Sequence, residues 1–183
     1  IRTLSPYSID ETSSRIKMDA NESPFDPPEE IRQEISDELR RIHFNRYPDP
    51  GAVTLKKRIS EYLQVEPEYL MLGNGSDELI GYLITAFTGR NNGVLFPVPT
   101  FSMYGIIARA QGQTPIEVPL DSQFQIDPGV FLHSVRKHTP QIVFLASPNN
   151  PTGNGFAEET VLRVLEESQA IVVVDEAYID FSS

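Results

Sequence analysis

Asp175 closes a run of β-branched residues, Ile171-Val172-Val173-Val174, and is followed by Glu176-Ala177-Tyr178. Such a run reads as a central strand, which places the carboxylate at a strand end, partly withdrawn from water. It stays ionised there only beside a cation or a donor such as a pyridinium N–H. Tyr178, three residues on, is in reach of the same ligand. The residues alone equally allow Asp175 as a helix cap or a Mg²⁺ ligand.

Four further strings carry chemistry of this kind. Gly73-Asn74-Gly75-Ser76-Asp77-Glu78 falls between an expected strand at 69–72 and an expected helix. Backbone N–H groups at a helix N-terminus make an anion site, and small residues let a phosphate approach. The string is not a Walker loop, because no Gly-Lys-Ser/Thr follows, nor a dinucleotide fingerprint, because its sixth residue is Glu78. Alone it reads as a glycine turn with Ser76 or Asp77 as N-cap. Ser147-Pro148-Asn149-Asn150-Pro151-Thr152-Gly153 follows an apolar run. Its prolines and glycine stiffen a loop that can aim an Asn amide into a site at the sheet edge, or simply cap a tight turn. Pro99-Thr100-Phe101-Ser102-Met103-Tyr104 puts aromatics just after a strand end, suited to a flat ligand or to the core. Asn45-Arg46-Tyr47-Pro48-Asp49-Pro50-Gly51 reads as a proline-rich hinge with Tyr47 half exposed.

The elements that must position these residues follow from periodicity. The stretch to about residue 24 is polar and aperiodic, an extended arm. Pro27-Pro28 then opens a helix, with Glu29 and Glu30 at the positive end of its dipole. Its apolar stripe is Ile31, Ile35, Leu39 and Ile42, at spacings of four, four and three. A second helix carries Leu55, Ile59, Tyr62 and Leu63, and ends near Glu66-Pro67. Beyond residue 70 short apolar runs alternate with helical ones. Strands are expected at 94–96, 115–118 (at an edge), 142–145 (buried) and 171–174 (central). Helices are expected after residue 76 and at 102–110, 130–137 and 158–167. This alternation predicts an α/β fold with a mostly parallel sheet covered on both faces.

Composition narrows the function. The chain has 183 residues, 39% hydrophobic and 22% charged, as expected of a globular protein. A net charge of −11 argues against nucleic acid or an anionic membrane as partner, while a small anion needs only local positive potential. The absence of cysteine rules out disulfides, thiolate catalysis and Cys-ligated zinc in this chain. His43, His133 and His138 form no H-E-x-x-H pair, so no metal site is expected. The first residues, Ile1-Arg2-Thr3-Leu4-Ser5-Pro6-Tyr7, hold no apolar run of the signal-peptide kind, and no run has membrane-span length. A cytoplasmic protein is expected.

Taken in order, D-A-N-E-S-P-F, R-Y-P-D-P-G, G-N-G-S-D-E-L-I, P-T-F-S-M-Y, S-P-N-N-P-T-G and V-V-D-E-A-Y resemble the fold-type I pyridoxal-phosphate (PLP) aminotransferases. The third and fourth particularly resemble that family's histidinol-phosphate branch. The resemblance covers nearly the whole chain and implies PLP as cofactor and amino-group exchange between histidinol phosphate (or imidazole-acetol phosphate) and glutamate (or 2-oxoglutarate). It implies that backbone at Gly75, Ser76 and Asp77 holds the cofactor phosphate and that Tyr104 stacks on its ring. Asn150 and Tyr178 would bond its phenolic oxygen, and Asp175 its ring nitrogen. Tyr47 would reach the cofactor phosphate of a neighbouring subunit, in a homodimer with shared sites. Tyr7 and Asn21 match positions near the substrate. The implied layout is an arm and small-domain helix at 1–48, and the first part of the large PLP-binding domain at 49–183. The family's Schiff-base lysine lies beyond the position of Asp175 and is matched by none of Lys17, Lys56, Lys57 or Lys137. The chain is therefore expected to be an N-terminal half, inactive alone. Competing readings are threonine-phosphate decarboxylase, an aromatic aminotransferase, or a non-catalytic nucleotide-binding module.

Overall fold

A computed structural model describes residues 22–89 and 93–182. Tyr7 and Asn21, and the arm as far as residue 21, lie outside the described residues. Contacts divide the chain into two compact units that meet in sequence between Leu72 and Gly73.

The first unit is helical. Helix α1 (Glu29–Arg41) begins after Pro28, with acidic residues in its first turn and Arg40 and Arg41 in its last, matching the helix dipole. Its apolar stripe forms as expected, yet Ile31, Ile35, Leu39 and Ile42 are all exposed, and no residue from 22 to 72 is buried. Helix α2 (Val53–Leu63) follows the Pro-Asp-Pro-Gly turn. Asp49 organises that turn: its carboxylate accepts the N–H groups of Val53 at 2.8 Å and Gly51 at 2.9 Å. Those two bonds, Val53 first, hold the Asp49 carboxyl below the usual range. The strand expected at 69–72 does not form. A short 3-10 turn (Pro67–Tyr69) occupies its start, and the backbone after it finds no ladder among the described residues.

The second unit is a layered α/β sandwich. Its helices are α3 (Gly75–Phe87), α4 (Met103–Ala110), α5 (Pro128–His138) and α6 (Glu158–Glu167), and its strands are β1 (Gly93–Val98), β2 (Thr114–Pro119), β3 (Ile142–Ala146) and β4 (Ile171–Asp175). The four strands run parallel in the order β2-β1-β3-β4. The chain steps outward from β1 to β2, then crosses back to place β3 on the other side of β1. That reversal is a switch point, where open parallel sheets leave a crevice at the carboxyl ends of their strands.

Period-two alternation sorts the core into two layers. Leu95, Val143 and Leu145 point to one face, where they meet Phe131, Leu132 and Val135 of α5 and Val164 of α6. Val94, Phe96, Ile142, Phe144 and Ala146 point to the other, against Ile80 and Ile84 of α3 and Tyr104 and Ala108 of α4. β3 is buried along its whole length, as a strand covered on both faces should be. β4, expected to be central, is instead at the edge of the described sheet, with Ile171 and Val174 partly exposed. Its β-branched run states strand propensity, which is the same at an edge. β2 is at the other edge, as expected.

Pro97 limits the pairing of β1. Residues of one parity face the same neighbour, and the Gly93 carbonyl accepts from Gln141, on the β3 side. The N–H that Pro97 lacks therefore faces β3. Pairing with β3 covers Val94 and Leu95 only, whereas pairing with β2 runs through Val98. The β1–β3 ladder therefore stops short of the carboxyl ends of the two strands, where their loops begin.

Truncation should separate the buried strand from the exposed helix surface. Leu145→Ala is expected to cost about 3 kcal/mol of unfolding free energy in a urea titration, and Leu162→Ala, on the outer side of α6, under about 1 kcal/mol.

Candidate active site

The carboxyl ends of β1, β3 and β4 and the first turn of α3 enclose a cleft of about 300 Å³, counted to its open mouth. Asp175 ends β4, and Ala177 and Tyr178 follow it along the rim. Asn150 and Pro148 come from the loop after β3, and Phe101 from the loop after β1. Ser76 comes from the start of α3. Four segments far apart in sequence thus converge on one place. Asn150, Ser76, Tyr104, Asp175 and Tyr178, all expected from sequence, line it; Gly75 and Asp77 flank Ser76 in the first turn of α3.

That turn is prepared for an anion. Gly75 adopts φ +79°, a backbone region open to glycine at little cost. Gly73 allows a close approach, since a Cβ there would stand 2.7 Å from the Leu79 side chain. The N-cap is Asn74, rather than Ser76 or Asp77, and its side chain makes no capping bond. Glu78 reaches back instead and accepts the Asn74 N–H, then the Tyr82 hydroxyl at 2.7 Å. Those bonds, the Asn74 N–H first, hold the Glu78 carboxyl below the usual range. No side chain of the string caps the first-turn amides, which lie at the positive end of the helix dipole beside the cleft.

The loop after β3 is locked by Asn149, which sequence reasoning named only as part of a string. It is 1% exposed. Its Nδ2 donates to the Pro99 carbonyl at 3.0 Å and to Thr152 Oγ1 at 2.7 Å, while its Oδ1 accepts from Thr100 Oγ1 at 2.7 Å. One side chain thus ties the β1 loop to the β3 loop and leaves Asn150 facing the cleft. The signal was present in the doubled Asn of Ser147-Pro148-Asn149-Asn150, but nothing in the string says which amide is buried.

Tyr104 departs from expectation. It borders the cleft, but its ring presents no exposed surface there as a stacking platform would. It is fully buried, stacked on Phe144 with centroids 4.7 Å apart and planes 8° apart, and edge-on to Phe101 at 5.6 Å. Its hydroxyl donates to Asp175 Oδ2 at 2.6 Å, and Asp175 Oδ1 accepts the Ala177 N–H at 3.1 Å. The physical reason is position: Tyr104 is the second residue of α4 and faces the sheet, whereas Phe101 precedes the helix and borders the cleft, partly exposed. Phe101 is the aromatic that sequence reasoning missed; both rings stood in one string, and only helix phase separates them. Burial, then the bond to Asp175, pushes the Tyr104 hydroxyl well above the usual tyrosine range.

Tyr47 belongs to the helical unit and is wholly exposed. Lys56 and Lys57 lie on α2, and Lys137 in the last turn of α5, at the end of the sheet opposite the cleft. No cluster of metal-ligating side chains occurs among the described residues, and no described helix is long and apolar enough to cross a membrane.

Fold and cleft together define a doubly wound α/β protein with a cleft at the carboxyl edge of its parallel sheet. The chain belongs to the aminotransferase class I and II family, whose model matches residues 13–183. It is 44% identical over 182 residues to a histidinol-phosphate aminotransferase of Thermococcus kodakarensis, covering 100% of this chain and 53% of that protein. It is 40% identical over 181 residues to one of Caldanaerobacter subterraneus, covering 99% and 52%. The crystal structure of the Clostridium acetobutylicum histidinol-phosphate aminotransferase is similar with a TM-score of 0.77 at 27% identity, covering 89% of this chain and 47% of that one. A PLP complex of the Sinorhizobium meliloti enzyme shares the fold, with a TM-score of 0.80 at 24% identity, covering 90% and 44%. The chain spans about half the length of the curated relatives it matches.

Two outcomes test the geometry. Asn149→Ala strands buried polar partners on two loops and should cost about 2–3 kcal/mol in chemical denaturation; Asn150→Ala, facing the cleft, should cost under about 1 kcal/mol. Tyr104 is held protonated in the folded state, so its contribution to stability is complete below the unfolded tyrosine pKa near 10 and is lost as pH rises beyond it. Wild type should therefore lose stability above pH 10 more steeply than Tyr104→Phe in melts across that range.

Proposed function

We propose that the whole protein is a PLP-dependent aminotransferase of histidine biosynthesis, exchanging an amino group between histidinol phosphate (or imidazole-acetol phosphate) and glutamate (or 2-oxoglutarate). The observation that carries the reading is Asp175 at the end of β4, facing a cleft that also holds uncapped helix amides. The donor set fits pyridoxal phosphate: a carboxylate for a cationic ring nitrogen, an amide and a phenol for a ring oxygen, and backbone N–H groups for a phosphate. Similarity to histidinol-phosphate aminotransferases supports the substrate class.

In this reading the backbone of Gly75, Ser76 and Asp77 holds the phosphate. Asp175 keeps the ring nitrogen protonated through a charge-assisted contact. Asn150 and Tyr178 donate to the ring oxygen, and Phe101 supplies the apolar wall. When bound, the cofactor supplies an electron sink for the carbanion left as a substrate Cα–H is removed. Tyr7 and Asn21 are proposed to sit near the substrate, and Tyr47 to serve the site of a second subunit in a homodimer. The cytoplasm is the proposed compartment. Residues 1–48 are assigned to the arm and small domain, and 49–183 to the large domain. The 183-residue chain is proposed to be inactive alone, since none of its described lysines borders the cleft. The proton-moving lysine implied by the family resemblance is matched by none of its residues.

The intact protein should show an absorbance band of bound pyridoxal phosphate and turn over histidinol phosphate with 2-oxoglutarate. Asp175→Asn should lower kcat by about 3 kcal/mol of barrier, by analogy with other lost electrostatic stabilisers. Turnover of threonine phosphate or an aromatic amino acid, with none of histidinol phosphate, would move the protein to a sister enzyme. Equal kcat for wild type and variant would remove Asp175 from the reaction.

A further inference from the structure

Packing alone does not account for the hydroxyl of Tyr104. A phenylalanine would fill the same space against Phe144 and Phe101, and burying a hydroxyl costs free energy unless it is bonded. The bond it makes is to Asp175 Oδ2 at 2.6 Å, across 71 residues of sequence. The ring cannot readily turn away, because Phe144 stacks on its face, Phe101 meets it edge-on and Phe96 packs at 6.0 Å. A rigid donor is thus aimed at one oxygen of the carboxylate, while the Ala177 N–H takes the other. An ionised carboxylate has about four acceptor positions. Two are used by the protein, which fixes the plane of the group and leaves the rest for a ligand in the cleft.

We infer that Tyr104 is a positioning residue for Asp175: its hydroxyl sets the orientation in which the carboxylate meets a cationic ring N–H, and its ring does not cover the ligand. The inference rests on the proposed cofactor. It transfers the stacking role implied for Tyr104 to Phe101 and gives Tyr104 a different one. Tyr104 stays protonated as donor because burial raises its pKa.

The test uses the intact protein freed of cofactor and two ligands that form no covalent bond to it: pyridoxamine 5′-phosphate and its 1-deaza analogue, in which carbon replaces the ring nitrogen. Affinities are measured by calorimetry for wild type, Tyr104→Phe, Asp175→Asn and the double variant. Wild type should prefer the nitrogen-bearing ligand. Tyr104→Phe should cut that preference about tenfold, the scale of one hydrogen bond to a charged group, with little change for the deaza ligand. In the Asp175→Asn background Tyr104→Phe should change nothing further, as residues acting through one another require. An unchanged preference, or equal weakening of both ligands, would overturn the inference, since a general loosening of the core does not distinguish nitrogen from carbon. Wild type that binds neither ligand would remove the cofactor reading and this inference with it. A second readout is the tyrosine Cζ spectrum of labelled wild type. The Tyr104 resonance, assigned by its absence in Tyr104→Phe, should shift with the nitrogen-bearing ligand and much less with the deaza one; equal shifts overturn the proposal.

Discussion

The hydrogen bond from Tyr104 to Asp175 joins the start of α4 to the end of β4 across the intervening β1 and β3. It can form only if the core beneath is complete. Tyr104 must stack on Phe144 of β3, Phe144 must face the α3–α4 side, and β3 must lie in register with β4 so that Ala146 pairs with Asp175. Shifting β3 by one residue would turn Phe144 to the opposite face. The cleft is therefore a consequence of sheet register, and the rim residues inherit their positions from the buried layer.

Around that contact the loops are held by polar locks of low cost. Asn149 ties the β3 loop to the β1 loop with two side-chain bonds and braces its own loop with a third, to Thr152. Glu78 closes the start of α3 from within the helix and leaves its first amides to a ligand. Asp49 does the same service for α2 in the helical unit. Acidic residues that look catalytic in a string thus divide by what they touch. Asp49 and Glu78 stabilise turns and helix starts, whereas Asp175, held by one protein bond on each oxygen, borders the cleft with acceptor positions to spare.

Much of this was legible in the sequence. The alternation of apolar runs announced a parallel sheet covered on both faces, the helix at 158–167 fell at the observed bounds, and four of the six strings contribute residues to one cleft. What was not legible depends on tertiary context. Residues 69–72 look like a strand, but a strand exists only with a partner, and Pro67 turns the chain instead. Val172 and Val173 give the same propensity at an edge as in the centre. Phe101 and Tyr104 differ by three residues, so which of them meets the cleft is decided by the phase of α4, and which asparagine of Asn149-Asn150 is buried is decided by the Pro99 carbonyl opposite. The apolar stripe of α1 was read correctly as a stripe, yet no residue of its unit is buried among the described residues.

The most direct measurement of the central claim is the ¹⁵N resonance of the ring nitrogen of labelled pyridoxal phosphate added to the intact protein. With Asp175 beneath it, the nitrogen should carry its proton at neutral pH and keep it well into the alkaline range, and it should lose that protection in Asp175→Asn. A wild-type complex whose ring nitrogen is unprotonated at neutral pH would contradict the account.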